Sequence, residues 1–221
     1  MTKSLGRPRD VDSADTRNTL LVAARRIFAR DGYGATTNRS IAAEVGITTG
    51  AIYHYFPSKA DLFAAVYEQV QDIVYERFER VFAEPGSLTE RFGRALEAAV
   101  ELNRDDTSLS GFVVTVPTEM MRHPELVDVL RPVRSRTSSF IHRLVVEAVA
   151  NDEFLEGVSP DAVEDLLSAV MSGLATFSTV TSDRVRHAAA VRALHRFLAG
   201  NLVRRPDDGA SGATGANGPI G

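Results

Sequence analysis

Residues 35–63, ATTNRSIAAEVGITTGAIYHYFPSKADLF, pack caps, a turn glycine, an aromatic run and a proline stop into one short stretch. They read as a short helix, a tight turn at Gly46, a second short helix, and the start of a long third one. Ile41, Ala42 and Val45 recur at i, i+1 and i+4, which gives the first helix a small apolar face. Gly46 stands where the chain must turn sharply, and glycine enters the left-handed backbone region without steric cost. Ile47 plugs the angle between the helices, and Thr48 is a good N-cap for the second. Thr49, Gly50 and Ala51 are small enough for a groove floor or phosphate to come close. Ile52 and Phe56 point inward at i, i+4, which leaves Tyr53, His54 and Tyr55 to divide between groove, phosphate and packing. Pro57 ends the helix, and Ser58-Lys59-Ala60-Asp61 reads as a capping box with Asp in the Glu/Gln position. The pattern is that of a helix-turn-helix, which lays its second helix in the DNA major groove.

Charge supports the same reading once it is split along the chain. The 221 residues carry a net −4, which by itself argues against nucleic acid. Residues 1–60, however, hold nine Lys/Arg against five Asp/Glu, whereas residues 61–221 hold 16 against 24. Positive charge thus gathers on the segment expected to read DNA, where phosphate neutralisation supplies affinity.

The remainder reads as helices, and the expected fold class is all-α. Leu20, Leu21, Ala24, Ile27 and Phe28 form a stripe that ends at Asp31-Gly32. A long helix runs from Lys59 to about Ala83 and ends at Pro85-Gly86. Ser87-Leu88-Thr89-Glu90 is a second capping box and opens a helix to about Arg104. His123-Pro124 marks a boundary, and Pro132 is expected to start or kink a helix running to about Asn151. Ser159-Pro160-Asp161 opens another helix. The last runs from about Arg184 to Val203, with Val191, Leu194, Phe197, Leu198 and Leu202 on one side. These last two helices carry wide apolar faces, open to burial within the chain or against a second copy. The low-complexity segment 206–221 is expected to be disordered. Gly6-Arg7-Pro8-Arg9 reads either as a flexible basic arm for the minor groove or as a solvated tail.

Thr36, Thr37, Arg39, Ile41, Ala42, Gly46-Ile47-Thr48, the run Gly50 to Phe56, Ser58-Lys59 and Leu62-Phe63 together resemble the DNA-binding domain of the TetR family of transcriptional regulators. One position departs from that pattern: Thr49 stands where the family often has lysine. The resemblance implies an N-terminal three-helix DNA-binding domain over 13–60, preceded by the arm at 1–12. A larger effector-binding and dimerisation domain then covers 61–205. It implies DNA contacts from Thr37, Arg39, Ser40, Thr48, Thr49, Gly50, Tyr53, His54 and Lys59. Read as residues alone, Thr37, Thr48 and Lys59 are equally caps or surface charge, Arg39 a solvated arginine, and Tyr53 partly packing.

The resemblance further implies a homodimer through the last two helices, because two heads on a twofold axis read an inverted-repeat operator. It implies a cytoplasmic repressor released from double-stranded DNA by a small apolar or amphipathic effector. The candidate lining is Phe112, Val116, Met120, Met121, Phe140, Leu144, Met171, Leu174 and Phe177, with His142 and Arg143 for a polar end; residue by residue these also suit ordinary core. The reading of a different class is a helical small-molecule carrier or enzyme with a vestigial helix-turn-helix.

Catalytic and metal chemistry find little footing. There is no cysteine, hence no thiolate nucleophile or disulfide framework. No Gly-x-Ser-x-Gly elbow, phosphate-binding glycine loop or His-Glu-x-x-His helix occurs. Glu119 and His123, at i and i+4, are only two candidate ligands, and His187 and His195 are expected at a surface or interface. No metal or cofactor is expected. No apolar run approaches the roughly 18–20 residues that span a bilayer, so no membrane partner is expected.

Overall fold

Gly32 breaks the first helix where the Asp31-Gly32 signal places its end. α1 (Arg9–Ala35) buries Leu20, Leu21, Ala24, Ile27 and Phe28 on one face, then kinks at Gly32, whose φ of 76° and ψ of 172° are non-helical. A Cβ at Gly32 would stand 2.7 Å from Glu119 Oε1, so a side chain there would also have to displace that carboxylate. The computed structural model describes residues 9–133, 135–181, 183–200 and 202. The expected 206–221 tail and residues 1–8 of the expected arm lie outside the described residues; Arg9 already belongs to α1.

The two short helices follow from their caps. α2 (Asn38–Val45) opens on a reciprocal box in which Ser40 N donates to Thr37 Oγ1 at 3.1 Å and Thr37 N donates to Ser40 Oγ at 3.2 Å. It ends at Gly46, left-handed at φ 77° and ψ 29°. α3 (Thr49–Tyr55) starts from Thr48, whose Oγ1 accepts from Ala51 N at 3.2 Å, and stops at Phe56 ahead of Pro57. α4 (Lys59–Phe82) is capped by Ser58, but only half as a capping box. Asp61 N donates to Ser58 Oγ, while the Asp61 carboxylate accepts from the Ser58 hydroxyl at 2.8 Å instead of reaching back to the cap's N–H. Aspartate is one methylene shorter than the glutamate that makes that bond.

The other six helices are α5 (Leu88–Asp105), α6 (Ser108–Arg122), α7 (Glu125–Leu130), α8 (Ser135–Ala150), α9 (Pro160–Thr181) and α10 (Arg184–Leu198), and no strand occurs among the described residues. Ser87 and Glu90 form the full capping box expected at the start of α5. Pro132 lies in the turn before α8 rather than in its first turn; Val133 N there donates to the Leu130 carbonyl, a bond that Pro132, lacking N–H, cannot make. The last helix stops at Leu198, short of the expected Val203, because Gly200 takes a left-handed φ of 71°.

Two hydrophobic clusters hold the helices together, and α4 runs through both. Leu62, Phe63, Val66 and Val70 join α1, α2 and α3 with Leu109, Phe112 and Val116 of α6 and Leu126 and Leu130 of α7. Further along α4, Tyr75 and Phe78 pack with Phe92 and Leu96 of α5, Phe140 and Leu144 of α8, Leu167 of α9 and Val191 of α10. Aromatic rings carry the first cluster across from head to body: Phe28–Phe63 centroids are 5.0 Å apart and Phe63–Phe112 4.8 Å. α1 packs most extensively on α6, so the head sits directly on the helices above it.

Candidate functional site

The head presents its polar residues on the outer side of α2 and α3. Thr37, Arg39, Ser40, Thr48, Gly50, Tyr53 and His54 are exposed, and Thr49 is half-buried. Ile52 and Phe56 are buried on the opposite side, as their i, i+4 spacing requires. Tyr53 is 53% exposed, so its ring is available to a partner. Arg39 has no ion pair or hydrogen bond among the described residues, and the His54 ring rests edge-on against Tyr55 at 5.3 Å. Thr37 and Ser40 are more committed: the Ser40 hydroxyl donates to the Thr37 carbonyl at 2.7 Å, and the Thr37 hydroxyl donates to Ser40 Oγ. Their first task is to hold the start of α2.

Lys59, expected at a phosphate, is tied to the backbone of the head. Its Nζ donates to the carbonyls of Tyr33 at 2.8 Å and Thr36 at 2.9 Å and lies 4.0 Å from the Tyr33 ring centroid. Tyr33 is in the last turn of α1 and Thr36 in the junction to α2, and the ammonium satisfies both carbonyls there. Burial lowers the Lys59 pKa, against the raising influence of Glu125 and Glu119. Lys59 therefore clamps the start of α4 to the α1–α2 turn. Sequence reading also missed Arg17, whose guanidinium lies 5.2 Å over the Phe56 ring at the edge of the head. The Glu119–His123 pair, 3.4 Å apart, packs on the same turn: Glu119 is buried against Gly32, and the His123 ring meets Tyr33 at 4.9 Å.

Above the head, α4, α5, α6, α9 and α10, with Thr137 of α8, line a partly open cavity of about 190 Å³. Of the nine residues expected to line an effector pocket, Met171 and Leu174 line this cavity. Phe112 and Val116 are core between α6 and the head, with Met120 packed beside them. Phe140 and Leu144 are core between α4, α5 and α8. Met121 is 79% exposed, and Phe177 stands under the Arg186 guanidinium beside His187. His142 is exposed and paired with Glu164, while Arg143 pairs with Glu79 and lies over the Phe82 ring, so neither reaches the cavity.

The cavity wall comes instead from a face of α4 that reads as ordinary core: Val70, Gln71, Val74, Tyr75 and Phe78. The one available signal was Gln71, a polar residue on an apolar stripe. Tyr75 OH donates to Thr137 Oγ1 at 2.5 Å, and burial pushes the phenol up to about 12. Ser110 Oγ donates to Asn103 Oδ1 at 2.5 Å. Two buried atoms in the wall have no partner among the described residues, Gln71 Oε1 and His187 Nε2. His187 was expected at a surface or interface; it is buried because α10 turns it, one turn before Val191, toward α9. Burial lowers its pKa, partly offset by a hydrogen bond to the Leu174 backbone.

A helix-turn-helix head fused by a shared core to a helical body with a cavity between its helices defines a DNA-binding regulator with a sensor. The family model described as bacterial regulatory proteins, tetR family, matches residues 20–66, and one described as BetI-type transcriptional repressor, C-terminal, matches residues 88–203, a little over half of the 221. The chain belongs to the TetR family of transcriptional regulators, whose members bind operator DNA, form dimers and bind small-molecule effectors. It is 26% identical over 196 residues to the transcriptional regulator UidR of Escherichia coli K12, covering 87% of this chain and 95% of UidR. Salmonella enterica GusR superposes with a TM-score of 0.68 at 26% identity, covering 90% and 99% of the two chains. FadR of Bacillus subtilis, solved with stearoyl-CoA, has a TM-score of 0.73 at 18% identity over 84% and 99%, a likeness of fold. No described helix is long and apolar enough to cross a membrane.

Proposed function

We propose that this chain is a cytoplasmic repressor that reads an inverted-repeat operator with two heads and lets go when the cavity fills. The observation that carries this reading is the double duty of two helices. α4 and α6 line the cavity with Val70, Gln71, Val74, Leu109 and Val113, and the same two helices form the floor on which the head is packed. A ligand that displaces either helix displaces the head. With differential binding of about 1–3 kcal/mol, operator affinity changes roughly 5- to 150-fold. The chain acts by binding rather than turnover.

Within the head, residues 13–60, we assign DNA contact to Arg39, Thr48, Thr49, Gly50, Tyr53 and His54. Thr37 and Ser40 hold α2 in place and reach phosphate only from that cap, and Lys59 fixes the head to α4. Residues 61–205 bind the effector and dimerise. The exposed apolar side chains Leu166, Val180, Val185 and Phe197 on α9 and α10 supply the surface for a second copy. Fluorescence anisotropy of the full-length protein against the intergenic DNA beside its own gene, with a scrambled duplex as control, tests the reading. Tight, sequence-dependent binding at two subunits per site, or a multiple, is expected. If a selection from genomic fragments also enriches nothing over scrambled DNA, the reading fails.

A further inference from the structure

Resting on the reading of the cavity as the effector site, we propose that its ligand is uncharged and mainly apolar and presents hydroxyl-type hydrogen-bond donors to Gln71 and His187. Both residues line the cavity and are almost wholly buried, at 4% and 5% exposed, and each carries a buried atom without a partner among the described residues, Gln71 Oε1 and His187 Nε2. Both atoms are acceptors. The amide oxygen accepts by its nature. The imidazole donates its other N–H to the Leu174 backbone, and burial keeps the ring neutral by lowering its pKa, so Nε2 carries a bare lone pair. A buried acceptor without a donor is costly, and a ligand that brings the donor recovers that cost.

The lining itself argues against the ionic alternatives. No Lys, Arg, Asp or Glu lines the cavity, which offers a carboxylate or an ammonium no direct counter-charge; Arg26, Arg30 and Arg184 lie in an adjoining hollow that shares Asn103, Ser110, Ser178 and His187. Tyr75 OH is matched to Thr137, Ser110 Oγ to Asn103 and Ser178 Oγ to the Ala175 carbonyl. Beside these and Ser172, the lining is carbon surface from Val70, Val74, Phe78, Leu96 and Met171, suited to an apolar skeleton. Gln71 is on α4 and His187 on α10. A ligand that donates to both ties the helix that carries the head to the last helix of the body.

Ligand-observed saturation-transfer NMR on the full-length protein tests this, using naphthyl, cyclohexyl and decyl scaffolds, each as alcohol, carboxylate and amine. Ala175→Trp, which fills the cavity from its wall, separates cavity binding from surface binding. The expected result is that Ala175-sensitive binding is concentrated in the alcohols, with matched carboxylates and amines about tenfold weaker or more. Gln71→Leu and His187→Phe should each weaken the alcohols about five- to tenfold and leave the carboxylates unchanged. If one of these variants does not fold, the other and the wild-type head-group comparison decide. Carboxylates or amines that bind as tightly as alcohols, and lose binding in Ala175→Trp, overturn the ligand class and leave the cavity as the effector site. If no compound is sensitive to Ala175→Trp, the effector-site reading falls and this inference with it.

Discussion

Arg25 and Asp106 lock α1 to the turn ahead of α6: the guanidinium Nη2 lies 2.5 Å from the Asp106 carboxylate, with Arg25 only 3% exposed. Ser108 completes the lock, accepting from Arg25 Nε at 2.9 Å and donating through N and Oγ to Asp106 Oδ1. Removing the arginine leaves the carboxylate unpaired and a gap under the head. Arg25→Ala is expected to lower stability by about 3 kcal/mol, and Asp106→Asn, at the more exposed end, by about 1–2 kcal/mol. Urea unfolding followed by circular dichroism measures both. Equal, negligible losses would mean that the pair does not hold the head.

The same lock has a pH signature. Burial works to raise the Asp106 carboxyl, but the Ser108 hydrogen bonds and the Arg25 charge outweigh it and hold the group below its ordinary value of 3.8. The folded chain then binds fewer protons here than the unfolded chain. Its contribution is complete above the ordinary carboxylate range and is lost as the pH falls through the lowered folded value. Urea midpoints taken from about pH 6 down to about pH 3 should fall in the wild type and fall less steeply in Asp106→Asn.

Lys59 is expected to behave as a structural cation. Lys59→Ala should cost about 2 kcal/mol of stability, since two carbonyls near the kink lose a charged donor. At a temperature where the variant stays folded, the slope of log Kd for operator against log salt should match the wild type. A slope smaller by about one would show that Lys59 neutralises a phosphate instead.

Arg39 and Tyr53 should show the opposite pattern. Both are exposed, so Arg39→Ala and Tyr53→Ala are expected to change stability by no more than about 0.5 kcal/mol. Tyr53→Ala should weaken operator binding by about 1–3 kcal/mol. Arg39→Ala should weaken it and reduce the salt slope by about one. Unchanged operator affinity in both, measured by anisotropy, would remove these two residues from the interface.

The head was legible in the sequence because its determinants are local. Thr48, Gly46, Phe56 and Pro57 act within a few residues of where they stand, so caps, turn and stop could be read in order. The cavity was not legible, because lining and core residues have the same chemistry and are sorted only by how helices meet. Phe112 went to the core because α6 lies against α1, and Val74 to the cavity wall because α9 and α10 leave a gap beside α4. Lys59 shows the same limit on a smaller scale: nothing near a lysine after a proline stop announces its bond to the Tyr33 carbonyl, 26 positions earlier.

The most direct test of the ligand-gated reading is operator affinity with the cavity empty and with it filled. Anisotropy titrations of the full-length protein on its selected duplex would be run with and without a saturating alcohol whose binding depends on Ala175. Operator affinity is expected to change about 5- to 150-fold in the wild type and not at all in Ala175→Trp. Unchanged affinity in the wild type with the cavity saturated would contradict the ligand-gated reading, by showing that the head does not feel what the cavity holds.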